Sequence, residues 1–202
     1  MRLKGSILLL MIVCQAVMAQ EGFIKFKDLQ ERFEVEAPGY LKYNTKTFTT
    51  QAGKVTNENF SLKKEGNHPN SLYLINTVNY EMGSFNQDST DFIEEYLENN
   101  VINTADMNEC KVIYATLSRL AKGTPMISYR LEGQSSDKII KGAFYIKDNT
   151  IFGLQVFTTK RASLNPYIDR FMNSFILEKD IPDIVIPEVV KKKKQSALKK
   201  VN

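Results

Sequence analysis

The chain has no tryptophan, one histidine and two cysteines among its 202 residues. A single histidine, His68, confines any histidine-dependent triad or zinc site to one position, and no HExxH segment or GxSxG elbow accompanies it. It stands in Gly66-Asn67-His68-Pro69, so its plain reading is an exposed loop residue without a catalytic role. The ten glycines are scattered, and no GxGxxG or GxxxxGK-Ser/Thr stretch follows a strand, which leaves nucleotide chemistry unsupported. Long apolar runs are also missing. The longest, Ile7–Val13, is broken by Gln15 and falls short of the roughly 20 residues a bilayer-spanning helix needs.

That short run sits where a secretory leader would place it. Arg2 and Lys4 precede it and Val17-Met18-Ala19 follows, so residues 1–19 read as a signal peptide cleaved near Ala19. Lipidation at Cys14 is disfavoured, because Ile12-Val13 stand where a small residue is wanted. Cleavage removes Cys14 and leaves Cys110 as the sole thiol, so no internal disulfide can form and stability must come from a packed core. An exported, cysteine-poor chain rich in lysine and asparagine points to a bacterial periplasmic or extracellular address. The net charge of +4 belongs to the ends: residues 20–190 hold nineteen lysines and arginines against twenty-three acids, a net −4. Export and an acidic body together argue against nucleic acid as partner.

Periodicity divides the rest. Phe33, Val35 and Ala37 alternate up to Pro38-Gly39, a short strand ending in a turn. Thr45–Ala52 is β-prone and closed by Gly53, while Asn57–Asn59 and Glu65–Asn70 predict a loop-rich stretch around a short Phe60–Leu62 segment. Ser71–Tyr80 predicts a strand covered on both faces. At Asp88–Val101 the period becomes helical through Phe92, Ile93, Tyr96, Leu97 and Val101, with Asp88 or Ser89 as N-cap and a linker over Asn103–Asn108. Four strands separated by turns at Lys122-Gly123, Gly133–Asp137 and Asp148-Asn149 follow as an antiparallel meander with one strongly apolar face. A second helix opens at Asn165-Pro166 and buries Tyr167, Ile168, Phe171, Met172 and Phe175. From residue 179 a Pro- and Lys-rich tail with no apolar period predicts disorder, so residues 20–178 form a single α+β domain of meander and two principal helices.

The opening FEVEAPG, the strands MISYRLEG and IIKGAFYIKDNTIFGLQVFT, and the closing YIDRFMNSFIL resemble the PsbP and Mog1-like α/β/α sandwich group over about residues 30–178. The resemblance implies a sandwich and, by the habit of that group, a non-catalytic binding or accessory protein; it carries no functional residue over to this chain.

Other candidates have plain readings. Cys110 begins an apolar strand as a small buried hydrophobe, Ser135-Ser136-Asp137 is hairpin chemistry, and Asp91, Glu94, Glu95 and Glu98 form a solvated helix face without calcium-loop spacing. The aromatics fall on core faces. The local feature with functional promise is the tail, where Lys191, Lys192, Lys193 and Lys194 follow an apolar run and suit weak contact with an anionic membrane surface. The sequence therefore predicts an exported envelope protein that binds a protein or complex, without cofactor or metal. A carrier of a small hydrophobic ligand and a hydrolase working through two carboxylates are the alternatives.

Overall fold

Apolar side chains at every second position favour strands, and the described residues form ten strands with two helices interposed. The protein is described by a computed structural model covering residues 22–177, apart from 51, 52, 82, 84, 86–88, 121 and 122. Residues 1–19, read above as a leader, and the tail with Lys191, Lys192, Lys193 and Lys194 lie outside these described residues. The order is β1 (Ile24–Lys27), β2 (Phe33–Ala37), β3 (Lys42–Thr50), β4 (Gly53–Lys63), β5 (Asn70–Asn79), α1 (Thr90–Met107), β6 (Cys110–Arg119), β7 (Pro125–Gly133), β8 (Lys138–Lys147), β9 (Thr150–Thr159), α2 (Pro166–Asn173) and β10 (Ile176–Leu177). The fold class is α+β, as predicted.

Seven strands form one antiparallel sheet in the order β3-β4-β5-β9-β8-β7-β6, and β1-β2-β10 form a smaller one. Directly opposed residues of antiparallel strands point the same way, so the register assigns every side chain to a face. On the helical face, Ile127, Tyr129 and Leu131 of β7 and Ile140, Phe144 and Ile146 of β8 meet Ile93, Leu97, Val101 and Ala105 of α1. On the hairpin face, Tyr73, Ile75, Phe152, Leu154 and Val156 meet Phe33, Val35, Ile168, Phe171 and Phe175 from the small sheet and α2. The expectation of a single apolar face is therefore corrected. The central strands are sandwiched, and β8 buries residues of both parities.

Two glycines let aromatic rings lie across the helical face. The Tyr129 ring lies over Gly142, where an added Cβ would come within 2.5 Å of the ring and 2.6 Å of the Leu154 carbonyl oxygen. Phe144 lies likewise over Gly153 and stacks on Tyr129 with ring centroids 5.2 Å apart. Gly142→Ala is expected to cost about 1–3 kcal/mol by overpacking, and chemical denaturation should show it; unchanged stability would mean that the sheet yields at this point.

Three sequence boundaries are corrected. α1 continues to Met107, because Ala105 extends the buried stripe and the polar residues turn their hydrogen bonds inward: Asn100 Nδ2, Thr104 Oγ1 and Asn108 Nδ2 donate to carbonyls four residues back, at 2.7, 2.7 and 2.9 Å. Asn57–Asn59 are not loop but the middle of the eleven-residue β4. β1 and β10 were not anticipated at all. At α2 the expectation holds closely, with Pro166 at the first turn and Asn165 Oδ1 accepting from the backbone N–H of Tyr167 and Ile168.

Candidate interaction surfaces

The two covers are offset. α1 packs on β6, β7 and β8, whereas the small sheet and α2 lie across the other face. Each cover leaves part of its face open, and both edges of the seven-stranded sheet, β3 and β6, are free among the described residues.

The edges differ in chemistry. β3 reads KYNTKTFTT, exposed throughout, with Lys42 and Lys46 supplying the charge that natural sheets use to discourage edge-to-edge pairing. β6 reads CKVIYATLSR and presents Val112, Ile113 and Tyr114 in succession, 41, 45 and 46% exposed. A register shift between Val112 and Tyr114 leaves Ile113 without a partner on β7. Its only charges are Lys111 and Arg119 near its ends, which reach Glu132 and Glu94 at 3.8 and 3.7 Å.

The open half of the helical face is polar. Across β3, β4 and β5 run Asn44, Asn59 and Asn76 in one row and Lys46 and Asn57 in the next; these rows continue into Gly153 under Phe144 and into Val78 and Ile151, which belong to the core beneath α1. Asn76 Nδ2 donates to Oδ1 of Asn57 and of Asn59 at 2.7 and 2.9 Å, and Asn59 Nδ2 donates to Asn57 Oδ1 at 2.9 Å. These cross-strand amide bonds explain why a segment that reads as loop is strand.

On the hairpin face an ion cluster ties the β1–β2 turn to the sheet. Arg32 donates to Asp28 at 2.6 Å through Nε and to Glu58 at 2.6 Å through Nη1; the two carboxylate side chains are 2 and 6% exposed. Tyr43, Thr77 and Asn79 also donate to Glu58, at 2.9, 3.0 and 2.9 Å. Burial pushes the Glu58 carboxyl upward, but the hydrogen bonds from Arg32 and Tyr43 outweigh it and hold the group below the usual carboxylate range. A glycosidase-type acid needs the opposite shift, so Glu58 is built to stay ionised and bridged to Arg32.

No family model matches the chain, and no curated protein matches it. Several solved structures are similar to it, among them the following two. The solution structure of cyanobacterial PsbP from Synechocystis shares 10% identity over 79% of this chain and 94% of its own, with a TM-score of 0.45. A Pseudomonas aeruginosa protein of unknown function, described as a putative regulator, shares 11% identity over 69% of this chain and 85% of its own, with a TM-score of 0.31. The first of these bears the name of the group that the sequence resembles.

The sequence-singled residues are dispersed. Cys110 is buried, and burial pushes its thiol upward, away from the reactive thiolate. His68 is not an exposed loop residue, as expected from its turn, but half-buried, its ring edge-on to Tyr73 and Tyr167 at 5.9 and 5.0 Å and its Nδ1 2.9 Å from the Asn70 carbonyl oxygen. The α1 carboxylates point outward, and no cluster of metal-ligating side chains occurs among the described residues. Ser136 Oγ packs onto Gly133 inside its turn, and Asp137 accepts from the Lys160 N–H at 3.1 Å, as turn residues do. Concavities of about 410 and 260 Å³ lie at the surface, lined by Ser89–Phe92 and by Lys42 and Ser61–Lys63, and neither draws on the buried core.

Proposed function

We propose that this chain is an exported, non-catalytic accessory protein of the bacterial cell envelope that binds another protein along the free edge of β6. The observation that carries the reading is the contrast between the two edges. A ten-residue edge strand offers a row of backbone donors and acceptors to an added strand, and three consecutive apolar side chains beside it supply contact area. The opposite edge has no such run: its exposed Tyr43 and Phe48 stand apart, among threonines and with Lys42 and Lys46 inside the strand. The leader accounts for export, and Lys191–Lys194 would hold the protein near an anionic membrane surface, each contributing on the order of 1 kcal/mol at low salt.

A photoreactive residue at position 114 is expected to trap a protein in the native host, and the same residue at Thr47, on the far edge, to trap none. In the purified pair, Val112→Lys with Ile113→Lys should weaken binding about tenfold or more, while the exposed sites change folding stability by only about 0.5 kcal/mol. An absence of adduct from position 114, equal trapping at both edges, or an affinity indifferent to the lysines would overturn the reading.

A further inference from the structure

The open half of the helical face has a composition that packing does not require. Rows read across β3, β4, β5 and β9 give Lys63, Leu72 and Phe157; then Lys42, Ser61, Leu74 and Gln155; then Asn44, Asn59, Asn76 and Gly153; then Lys46, Asn57, Val78 and Ile151. Phe157, Val78 and Ile151 pack with the core beneath α1 and Gly153 lies under Phe144, so the open part is the β3–β4–β5 end of these rows; the rows hold five carboxamides and three lysines, and none of these positions is a carboxylate. Glu58, the acid of β4, projects to the opposite face, and Glu65 lies in the turn beyond the strand. The acidic side of α1 is also turned away: Glu94 reaches Arg119 on β6, while Tyr96, on the other flank, bonds Tyr80 at 2.8 Å on the side of the open strands.

The amide ladder is half engaged. Its internal bonds use Asn57 Oδ1 twice and Asn76 Nδ2 twice, and leave Asn57 Nδ2 and Asn76 Oδ1 outside the ladder, a donor and an acceptor on one surface. Neutral groups that both donate and accept, held about 4.8 Å apart across the strands, match a chain of hydroxyl-bearing rings. The lysines bracket that ladder. Lys42 and Lys46 stand on β3 about 13 Å apart along the strand, and Lys63 closes the near corner. A concavity of about 260 Å³ opens at that corner, lined by Lys42, Ser61, Leu62 and Lys63. An occupant must therefore carry hydroxyls where the amides are and negative charge where the lysines are.

From this we infer that the β3–β4–β5 part of the helical face binds an acidic polysaccharide, its hydroxyls on Asn44, Asn57, Asn59 and Asn76 and its carboxylates on Lys42, Lys46 and Lys63. This surface is separate from the β6 edge, so the two assignments stand or fall independently. The test is residue-resolved NMR titration of the full mature chain with a uronic acid hexasaccharide, a neutral hexasaccharide and inorganic polyphosphate. The acidic hexasaccharide is expected to shift the side-chain amide resonances of Asn44, Asn57, Asn59 and Asn76, the neutral one to leave them in place, and polyphosphate to bind without moving Asn57 and Asn76. Replacing Lys42, Lys46 and Lys63 by glutamine should raise the Kd about tenfold or more, and added salt should weaken binding in the parent chain. Asn76→Ala should raise the Kd for the hexasaccharide and leave that for polyphosphate alone. Replacing Lys191–Lys194 by glutamine should leave the amide shifts intact. Shifts confined to the tail, equal binding of the neutral sugar, or an Asn76→Ala variant that binds like the parent would overturn the inference.

Discussion

Arg32→Met is expected to remove about 3–5 kcal/mol of stability and to lower the melting temperature by roughly 10 °C. The arginine stands between two buried carboxylates, Asp28 and Glu58, and its loss would strand both in a site that water scarcely enters. The size of the effect comes from the stranded acids, not from the pair as such. Replacing Asp28, Arg32 and Glu58 together by apolar residues of similar volume should therefore be far milder than Arg32→Met alone. Glu58 adds a pH dependence with a definite sign. Its carboxyl is held below the unfolded value, so its contribution is complete above the ordinary carboxylate range and is lost as pH falls through the lowered folded value. Thermal melts of the parent between neutral and acid pH should fall accordingly, and Glu58→Gln should flatten part of that slope. A mild Arg32→Met phenotype would mean that water reaches the cluster.

Phe33→Ala should be comparable, about 3–5 kcal/mol. Phe33 is fully buried and its ring lies 5.5 Å from Phe60, 6.1 Å from Phe152 and 5.5 Å from Phe175, so one side chain joins β2, β4, β9 and the segment after α2. Removal leaves a cavity that three rigid rings cannot collapse into, and urea denaturation measures the loss. Phe33→Leu should recover more than half of it, because most of the volume returns. Since Arg32 and Phe33 are neighbours in one strand entry, their double substitution should depart from additivity.

What the sequence revealed was what a local window contains. α2 was legible because an asparagine, a proline and an apolar stripe follow one another, and the meander because Gly133–Asp137 and Asp148-Asn149 punctuate it. β4 was not, since Asn57–Asn59 have the composition of a loop and become strand only through Asn76 on the neighbouring strand. The far end of α1 was hidden for a related reason: Asn100, Thr104 and Asn108 count against helix until their side chains are seen bonding back to its carbonyls. β1, four residues of IKFK, had nothing to distinguish it. The candidate surfaces were illegible in principle. Whether β6 is an edge depends on strand order, and whether an asparagine row is covered depends on where a distant helix lies.

The small sheet has a consequence for how the chain comes into being. Its middle strand, β2, is flanked by the first and the last of the described strands, with Glu34 opposite Ile176 and Phe33 opposite Leu177. A chain made in sequence offers Phe33 its immediate partner in β1 but nothing from α2 or β10 until the strands of the large sheet have all been made. Closure is thus a late, long-range event, slow by the entropy of the loop it must close. For a chain made from its N-terminus onward, the same geometry holds the small sheet unfinished until its third strand has been made.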